Sequence, residues 1–490
     1  MWPRNTTMLD IPHEILAVVC QELPQPDVVA LLTTCKYIRQ LLRGQHLQLR
    51  IYIRNRFPTN QQINPRIASL YILTDAASAA DSLQFCTDFG PVIGGIRMLR
   101  QYIPLETFRE LVVLYAEQSP LRSLPVLPSL FECIATSSHL GDIANLQMCT
   151  QLTRLAIDNT DVADITPLQS CDTLRVLKIP LIRNIAPICG HLLRELTIGS
   201  PGVRPFGDIV LPPLPVTLTH LAVHATVDSF DVFAPLVNLR VLIIAGVALN
   251  RPTMNFTRNL RHLHTLSVCN TAVADVSGLA NCPDLQTLSL NILVDAANLS
   301  MLTACVRLQH LALACMGEQP AAFQLPDLVT FSNILATCTT LPCLKYSPNV
   351  HTLNITNSWV SELPRAAYLH SLRRLDISHS LVTSIDDFRM PQLREFDMSF
   401  TMIRDITALA DSPLLTNLHM QSSHVADILP LLECSRLECI DMADCLCLRE
   451  AYVLLRLPVL RSVDFSNCKL ANENVLIGTL TQGGVQVTVL

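Results

Sequence analysis

The sequence is short of charge, glycine and aromatic rings. Of its 490 residues only 16% are charged and 5% aromatic, and glycine occurs 15 times. Scarce glycine leaves little material for phosphate-cradling loops, and neither G-x-x-x-x-G-K-[ST] nor G-x-G-x-x-G is present. G-x-S-x-G and H-E-x-x-H are missing as well, so no residue is nominated as catalytic, cofactor-binding or metal-ligating, and no enzyme activity is expected. There is no long apolar run. The longest, Val241 to Leu249, is about half of the roughly 18 residues a membrane span needs, and Gly246 interrupts it. The opening MWPRNTTMLD lacks the basic stretch and apolar core of a secretory signal. Yet half the residues are hydrophobic and the mean hydropathy is +0.35. That apolar excess must be buried in protein, and the expected location is cytoplasmic or nuclear. A net charge of −6 gives no electrostatic case for nucleic acid. Residues 1–60 hold seven Lys/Arg against four Asp/Glu, a net of +3, so the remainder carries −9.

What is abundant is a repeat. In the frame L-x-x-L-x-L the first apolar position falls at Phe108, Leu130, Leu152, Leu174, Leu193, Leu218, Leu239, Leu263, Leu285, Leu308, Leu328, Val350, Leu372, Leu393, Leu415, Leu437 and Leu460. Spacings are mostly 21–23 residues, with 19 and 25 as extremes. The unit from Leu152, LTRLAIDNTDVADITPLQSCDT, shows the whole pattern. Positions 1, 4 and 6 point inward from a short strand, and positions 11, 14 and 17 return apolar groups from the opposite side. One unit cannot bury these alone, so units must stack. Position 13 is often acidic (Asp164, Asp275, Glu362, Asp405, Asp427), and Thr166-Pro167 after it reads as a helix cap and first-turn proline. The segment behind the strands is expected to be a short helix or 3₁₀ turn.

Eighteen cysteines without a secretory signal read as reduced thiols. They recur near position 20 (Cys149, Cys171, Cys282, Cys305, Cys434), which marks small buried hydrophobes. No paired C-x-x-C spacing points to zinc. Cys445 and Cys447 are both expected at packing sites. Histidines on strand segments fall on different repeats and read as exposed filler.

This pattern resembles the leucine-rich-repeat family in its 22-residue form, over about 380 residues. The resemblance implies an α/β solenoid, a horseshoe with parallel concave strands and short convex helices or 3₁₀ turns. In that family position 9 is usually Asn or Cys. Here it is mostly Thr or Ser (Thr160, Thr271, Ser358, Ser380, Thr401, Ser423), with Cys445 and Cys468 near the end. VQVTVL alternates as a final edge strand would. Residues 57–107 read as an irregular capping region or degenerate repeats, with strand frames at Ile67, Leu70, Ile72 and at Ile93, Ile96, Met98, before an array over 108–490.

Residues 9–42 carry apolar groups at helical spacing, and Pro26-Asp27 is a helix entry signal. They resemble an F-box: Leu9, Pro12, Glu14, Ile15 and Leu16 match its Leu-x-x-Pro-x-Glu-(Ile/Leu)-Leu start, and Cys35, Lys36 and Arg39 its later segment. The Trp that many members carry after the last helix is missing. In that family the module docks on a Skp-type adaptor and, through it, a cullin ubiquitin ligase, while following repeats select the substrate. Leu9, Pro12, Ile15, Leu16, Val19 and Leu23 would then form the adaptor surface, with residues 1–56 as the module. The alternative is an interaction scaffold or regulatory subunit whose N-terminal helices only cap the stack.

Positions 3, 5 and 7 of each strand face away from the core. In the last repeats position 5 reads Asp376, Asp397, His419, Asp441, Asp464, and position 3 adds Glu395 against Arg374. These acids, with His419, are the candidate partner-binding face, and the partner expected is a protein, for which a basic surface is the electrostatic match. The competing account is that the acids are solvated or paired locally with Arg373, Arg394 and Arg461, or that, as the resemblance implies for Asp at position 5 with Ser at position 7, they bond to loop or neighbouring groups. The middle strands offer neutral groups instead, such as Ala222, Ile243 and Ala312. Neither a membrane nor a nucleic-acid partner is expected.

Overall fold

The computed structural model describes residues 48–53, 69–74, 95–99, 105–108, 111–201, 208–246, 253–273, 275–293, 297–315, 324–364, 369–386, 389–470 and 473–489. The chain divides into two compact units, Met1–Ala225 and Thr226–Leu490.

In the first unit nine strands follow one another in a parallel ladder. They are β1 (Gln48–Ile53), β2 (Ser69–Thr74), β3 (Gly95–Leu99), β4 (Val113–Glu117), β5 (Glu132–Ile134), β6 (Arg154–Ala156), β7 (Val176–Ile179), β8 (Glu195–Ile198) and β9 (His220–Val223). Each pairs with the next. The second unit repeats the arrangement. Its strands are β10 (Val241–Ala245), β11 (Thr265–Val273), β12 (Thr287–Leu293), β13 (His310–Cys315), β14 (Thr330–Asn333), β15 (Thr352–Asn354), β16 (Arg374–Asp376), β17 (Glu395–Asp397), β18 (Asn417–His419), β19 (Cys439–Asp441), β20 (Ser462–Asp464) and β21 (Gln486–Thr488). Register is kept from strand to strand, with shifts only past Val268 and past Leu290.

The core is what the repeat period dictates. Every frame residue from Leu130 to Leu460 is buried, as are the residues at position 4, such as Leu155, Leu375 and Phe396. Each such side chain contributes roughly 1.5–3 kcal/mol. One frame start needs correction. Val113 pairs with Glu132, so the frame of the β4 unit begins at Leu111, and Phe108 is a buried residue outside it.

Behind the strands the chain returns through 3₁₀ turns, among them Thr166–Ser170, Ser277–Asn281, Thr407–Asp411 and Leu429–Glu433. Their entry is capped by the position-13 acid, not by the threonine named from sequence. Asp164 accepts from the Thr166 amide (2.9 Å) and hydroxyl (2.6 Å), and Asp275 accepts from Ser277 and Asp405 from Thr407 in the same way. These bonds hold the Asp164 and Asp405 carboxyls below the usual range. Gly278 is required where the turn from Ser277 crosses the preceding repeat, because a Cβ there would lie 1.9 Å from the Met254 carbonyl oxygen.

Several strands, among them those of the last repeats, leave the sheet through a left-handed residue at position 8. Asn159 (φ 55°), Asn357 (55°), His379 (54°), Phe400 (57°) and Asn467 (59°) all occupy it. Position 9 then satisfies the turn: Thr160 and Thr401 donate to Ile157 O and Met398 O, both at 2.6 Å. The cysteines do more than fill space. At Cys149, Cys171, Cys305 and Cys434 the thiol donates to a leucine carbonyl of the preceding repeat at 3.1–3.4 Å. Burial pushes the thiols up to about 11 at Cys149 and Cys171 and about 12 at Cys305 and Cys434. Thirteen cysteines among the described residues are free, and Cys447, expected at a packing site, is exposed. The closing strand β21 matches the VQVTVL reading. The α-helix α1 (Glu473–Gln482) before it was not expected; it buries Leu476 and Leu480, one turn apart.

Candidate functional site

The strand face of the second unit assembles the residues singled out from sequence. Arg374, Glu395, Asn417, Cys439 and Ser462 lie side by side, as do Asp376, Asp397, His419, Asp441 and Asp464. Asn354 on β15 extends the second row by one strand. The core decides this geometry: Leu375, Phe396, Leu418, Ile440 and Val463 are buried between the two rows, so their neighbours on either side must face outward.

The acids are partly committed to their own backbone. Asp376 Oδ1 accepts from the Ser378 amide (3.0 Å) and hydroxyl (2.7 Å). Asp464 does the same with Ser466, at 2.9 and 2.7 Å. Asp397 and Asp441 take the amides of Ser399 (2.9 Å) and Ala443 (3.1 Å). Each bond uses Oδ1 and stays within one strand exit. Asn354 Oδ1 makes the same pair of bonds to Thr356, at 3.0 and 2.7 Å, without a charge.

Among the cations, Arg374 meets Glu395 at 2.6 Å across the strand pair. Arg461 pairs with Glu438 at 2.9 Å and so does not neutralise the row. His419 Nδ1 lies 3.9 Å from Asp441 Oδ2. The bond to Asp441, with Asp397 and Asp376 nearby, lifts the His419 ring above its ordinary value, and His419 in turn lowers the Asp441 carboxyl. A depression of about 290 Å³ lies over this region, lined by Asn354, Arg374, Asp376, Glu395, Asp397 and His419. Among the described residues no group of three or more His, Cys, Asp or Glu is placed to hold a metal ion. No helix among them is long and apolar enough to cross a membrane. The proposed adaptor residues Leu9, Pro12, Ile15, Leu16, Val19 and Leu23 lie outside the described residues.

Compared with known proteins, the sequence matches no family model and no curated protein. Solved structures do match. A leucine-rich-repeat protein of Leptospira interrogans is 13% identical, with 80% of this chain and all of that one covered and a TM-score of 0.56. The functional domain of InlJ from Listeria monocytogenes, described as including a cysteine ladder, is 14% identical over 69% of this chain and 74% of that one, with a TM-score of 0.52.

The chain has a leucine-rich-repeat fold.

Within that fold the outward rows are where repeats are free to differ, since positions 1, 4 and 6 are fixed by packing. The sequence points both to the acids and to local bonding of an Asp at position 5 beside a Ser at position 7, and the structure shows those bonds. The recurring Asp-x-Ser at 376–378, 397–399 and 464–466 is the signal that carries them. Sequence reasoning missed that Glu395 and Arg374 cancel each other.

Proposed function

We propose that this chain is a non-enzymatic protein-interaction receptor that takes a positively charged protein segment on β15 to β20. We further propose that it is the substrate-recognition subunit of a Skp–cullin–F-box type ubiquitin ligase, working in the cytoplasm or nucleus. In this reading residues 1–56 are the F-box-like module, 57–107 an irregular capping region or degenerate repeats and 108–490 the substrate-binding array.

The observation that carries the receptor reading is the in-register row of Asp376, Asp397, Asp441 and Asp464. Strands are about 4.8 Å apart. Two carboxylates at that spacing repel by roughly 1 kcal/mol in water and about 3–4 kcal/mol at an effective dielectric of 20. A basic partner relieves this, and arginine forks suit the carboxylates. The ligase reading rests on the resemblance of residues 9–42 to an F-box, with Leu9, Pro12, Ile15, Leu16, Val19 and Leu23 as the adaptor surface.

Purification of the intact protein, with and without Pro12→Ala/Leu16→Ala, tests both halves. A Skp-type adaptor and cullin should accompany the parent protein and fall by tenfold or more in the variant, since 1.4 kcal/mol is tenfold. Unchanged adaptor recovery, or none from the parent, overturns the ligase reading and leaves a capped scaffold. Asp397→Asn/Asp441→Asn should slow association of the captured substrate and flatten its salt dependence. Unaltered binding overturns the acidic face.

A further inference from the structure

One surface beside the acid row is not explained by the fold. Position 8 or 10 of four consecutive repeats carries a large apolar side chain in solvent: Leu335 is 63% exposed, Trp359 61%, Leu381 56%, Phe400 44% and Met402 55%. These positions lie on the chain just past the strand ends, three to five residues beyond the acids' position 5. Other repeats put Ser137, Asn159, Ser422 or Asp444 at position 8, so the turn itself does not call for apolar groups. Two of these repeats also touch at this level. The rings of His379 and Phe400 stack across two repeats, with centroids 4.2 Å apart and planes 10° from parallel. Exposed apolar groups scattered singly need no explanation, but such groups recurring on four neighbouring repeats mark an interaction surface.

We infer that this strip and the acid row together bind an amphipathic helix of a partner protein, one that carries a basic stripe beside an apolar stripe. The inference rests on the acidic-face reading and names the partner's form. Two features of the surface select that occupant. The first is charge: Asp376 and Asp397 belong to the same repeats as Leu381, Phe400 and Met402, and among the described residues neither acid has an ion-pair partner. Over these two repeats apolar and acidic groups therefore run side by side, while Leu335 and Trp359 continue the apolar line beside the neutral Ser332 and Asn354, and the complement is an apolar line with a basic one beside part of it. The second is spacing. Four repeats at about 4.8 Å span three intervals, about 14 Å. Three turns of an α-helix rise about 16 Å, close to that length. Three two-residue steps of an extended strand cover about 20 Å and fall out of phase with the repeats. A helix laid across the strands can therefore set one residue per turn on each repeat.

The test uses the full chain and a synthetic helical peptide of about five turns, with leucines along one face and arginines along the next. Trp359 is one of two tryptophans in the chain. In a Trp2→Phe background its emission reports directly on the strip. The peptide should shift that emission to the blue and bind with an affinity that falls as salt rises. Leu381→Ser/Met402→Ser should weaken binding at least tenfold and keep the salt dependence. Both side chains are exposed, so the urea midpoint should stay at the parent value. Asp397→Asn/Asp441→Asn should weaken binding and flatten the salt dependence. If the acidic variant loses binding while the strip variant keeps it, the strip is not part of the site and this inference fails, with the acidic face intact. If neither variant changes binding, both readings fail. A peptide with serines for leucines that binds equally well overturns the inference. So does a blue shift on raising protein concentration alone, which would make a second copy of the chain the occupant.

Discussion

Asp397 separates a structural carboxylate from a functional one. Its Oδ1 accepts the amide of Ser399, which is buried at 7% exposure. Asp397→Ala removes that acceptor. A hydrogen bond is worth about 0.5–1.5 kcal/mol net, and an unsatisfied buried donor about 1–3 kcal/mol. The low end applies here, because the β6 repeat leaves its strand through the same left-handed turn (Asn159, φ 55°) with Ala156 at position 5. We expect Asp397→Ala to cost about 1 kcal/mol. Asp397→Asn keeps the acceptor, as Asn354 demonstrates two strands away. It also removes repulsion from Asp376, roughly 1 kcal/mol or more by the same Coulomb arithmetic. The asparagine variant should therefore match or exceed the parent in stability. Urea unfolding measures this as midpoints at a common m-value. If asparagine costs as much as alanine, the negative charge is itself structural. The acid row then holds nothing in reserve for a partner, and the argument for a basic ligand collapses.

Cys434→Ser should cost less than Cys434→Ala by about 1 kcal/mol, because the buried thiol donates to Leu409 O and Ser412 makes the equivalent bond to Met390 O at 3.1 Å; urea midpoints in the reverse order would return the residue to a plain hydrophobe. The His419 ring should titrate above its ordinary value by NMR and fall back in Asp441→Asn, and an unshifted ring in the parent would remove the pair. Because the folded-state value is raised, the pair's stabilisation is complete below the unfolded-state value and is lost as pH rises through the folded one. A pH scan of the urea midpoint, parent against His419→Gln, checks that sign.

The fold was legible because repetition multiplies a weak signal. A single L-x-x-L-x-L is compatible with strand or helix, but the same frame recurring from Leu130 to Leu460 leaves stacking as the one way to bury it. The errors came where repetition thins. Phe108 sits one helical step before Leu111, and both are buried, so hydrophobicity alone could not separate them. The register of Val113 with Glu132 does. The helix Glu473–Gln482 falls between the last frame and the closing strand, outside the period. Cys447 was judged by its phase in a repeat whose turn departs from the others, Leu446 and Cys447 both standing exposed. The Thr166 cap was read from composition, but at this entry the carboxylate two residues earlier is the better acceptor.

The site was legible in part for the opposite reason. Alternation along a strand names which side chains face out, and parallel register lines them up, so the row Asp376, Asp397, His419, Asp441, Asp464 follows from the frame alone. What each carboxylate does there is not periodic. An acceptor at position 5 serves the strand exit equally well as Asn354 or as Asp376, and Ala156 shows that the exit forms without one. The turn therefore accounts for an oxygen at this position and not for a charge. Four acids recur where asparagine or alanine would close the same turn, at the expense of mutual repulsion along the row. That surplus of charge is what a basic partner would use, and it is why the asparagine variants discriminate between the two accounts.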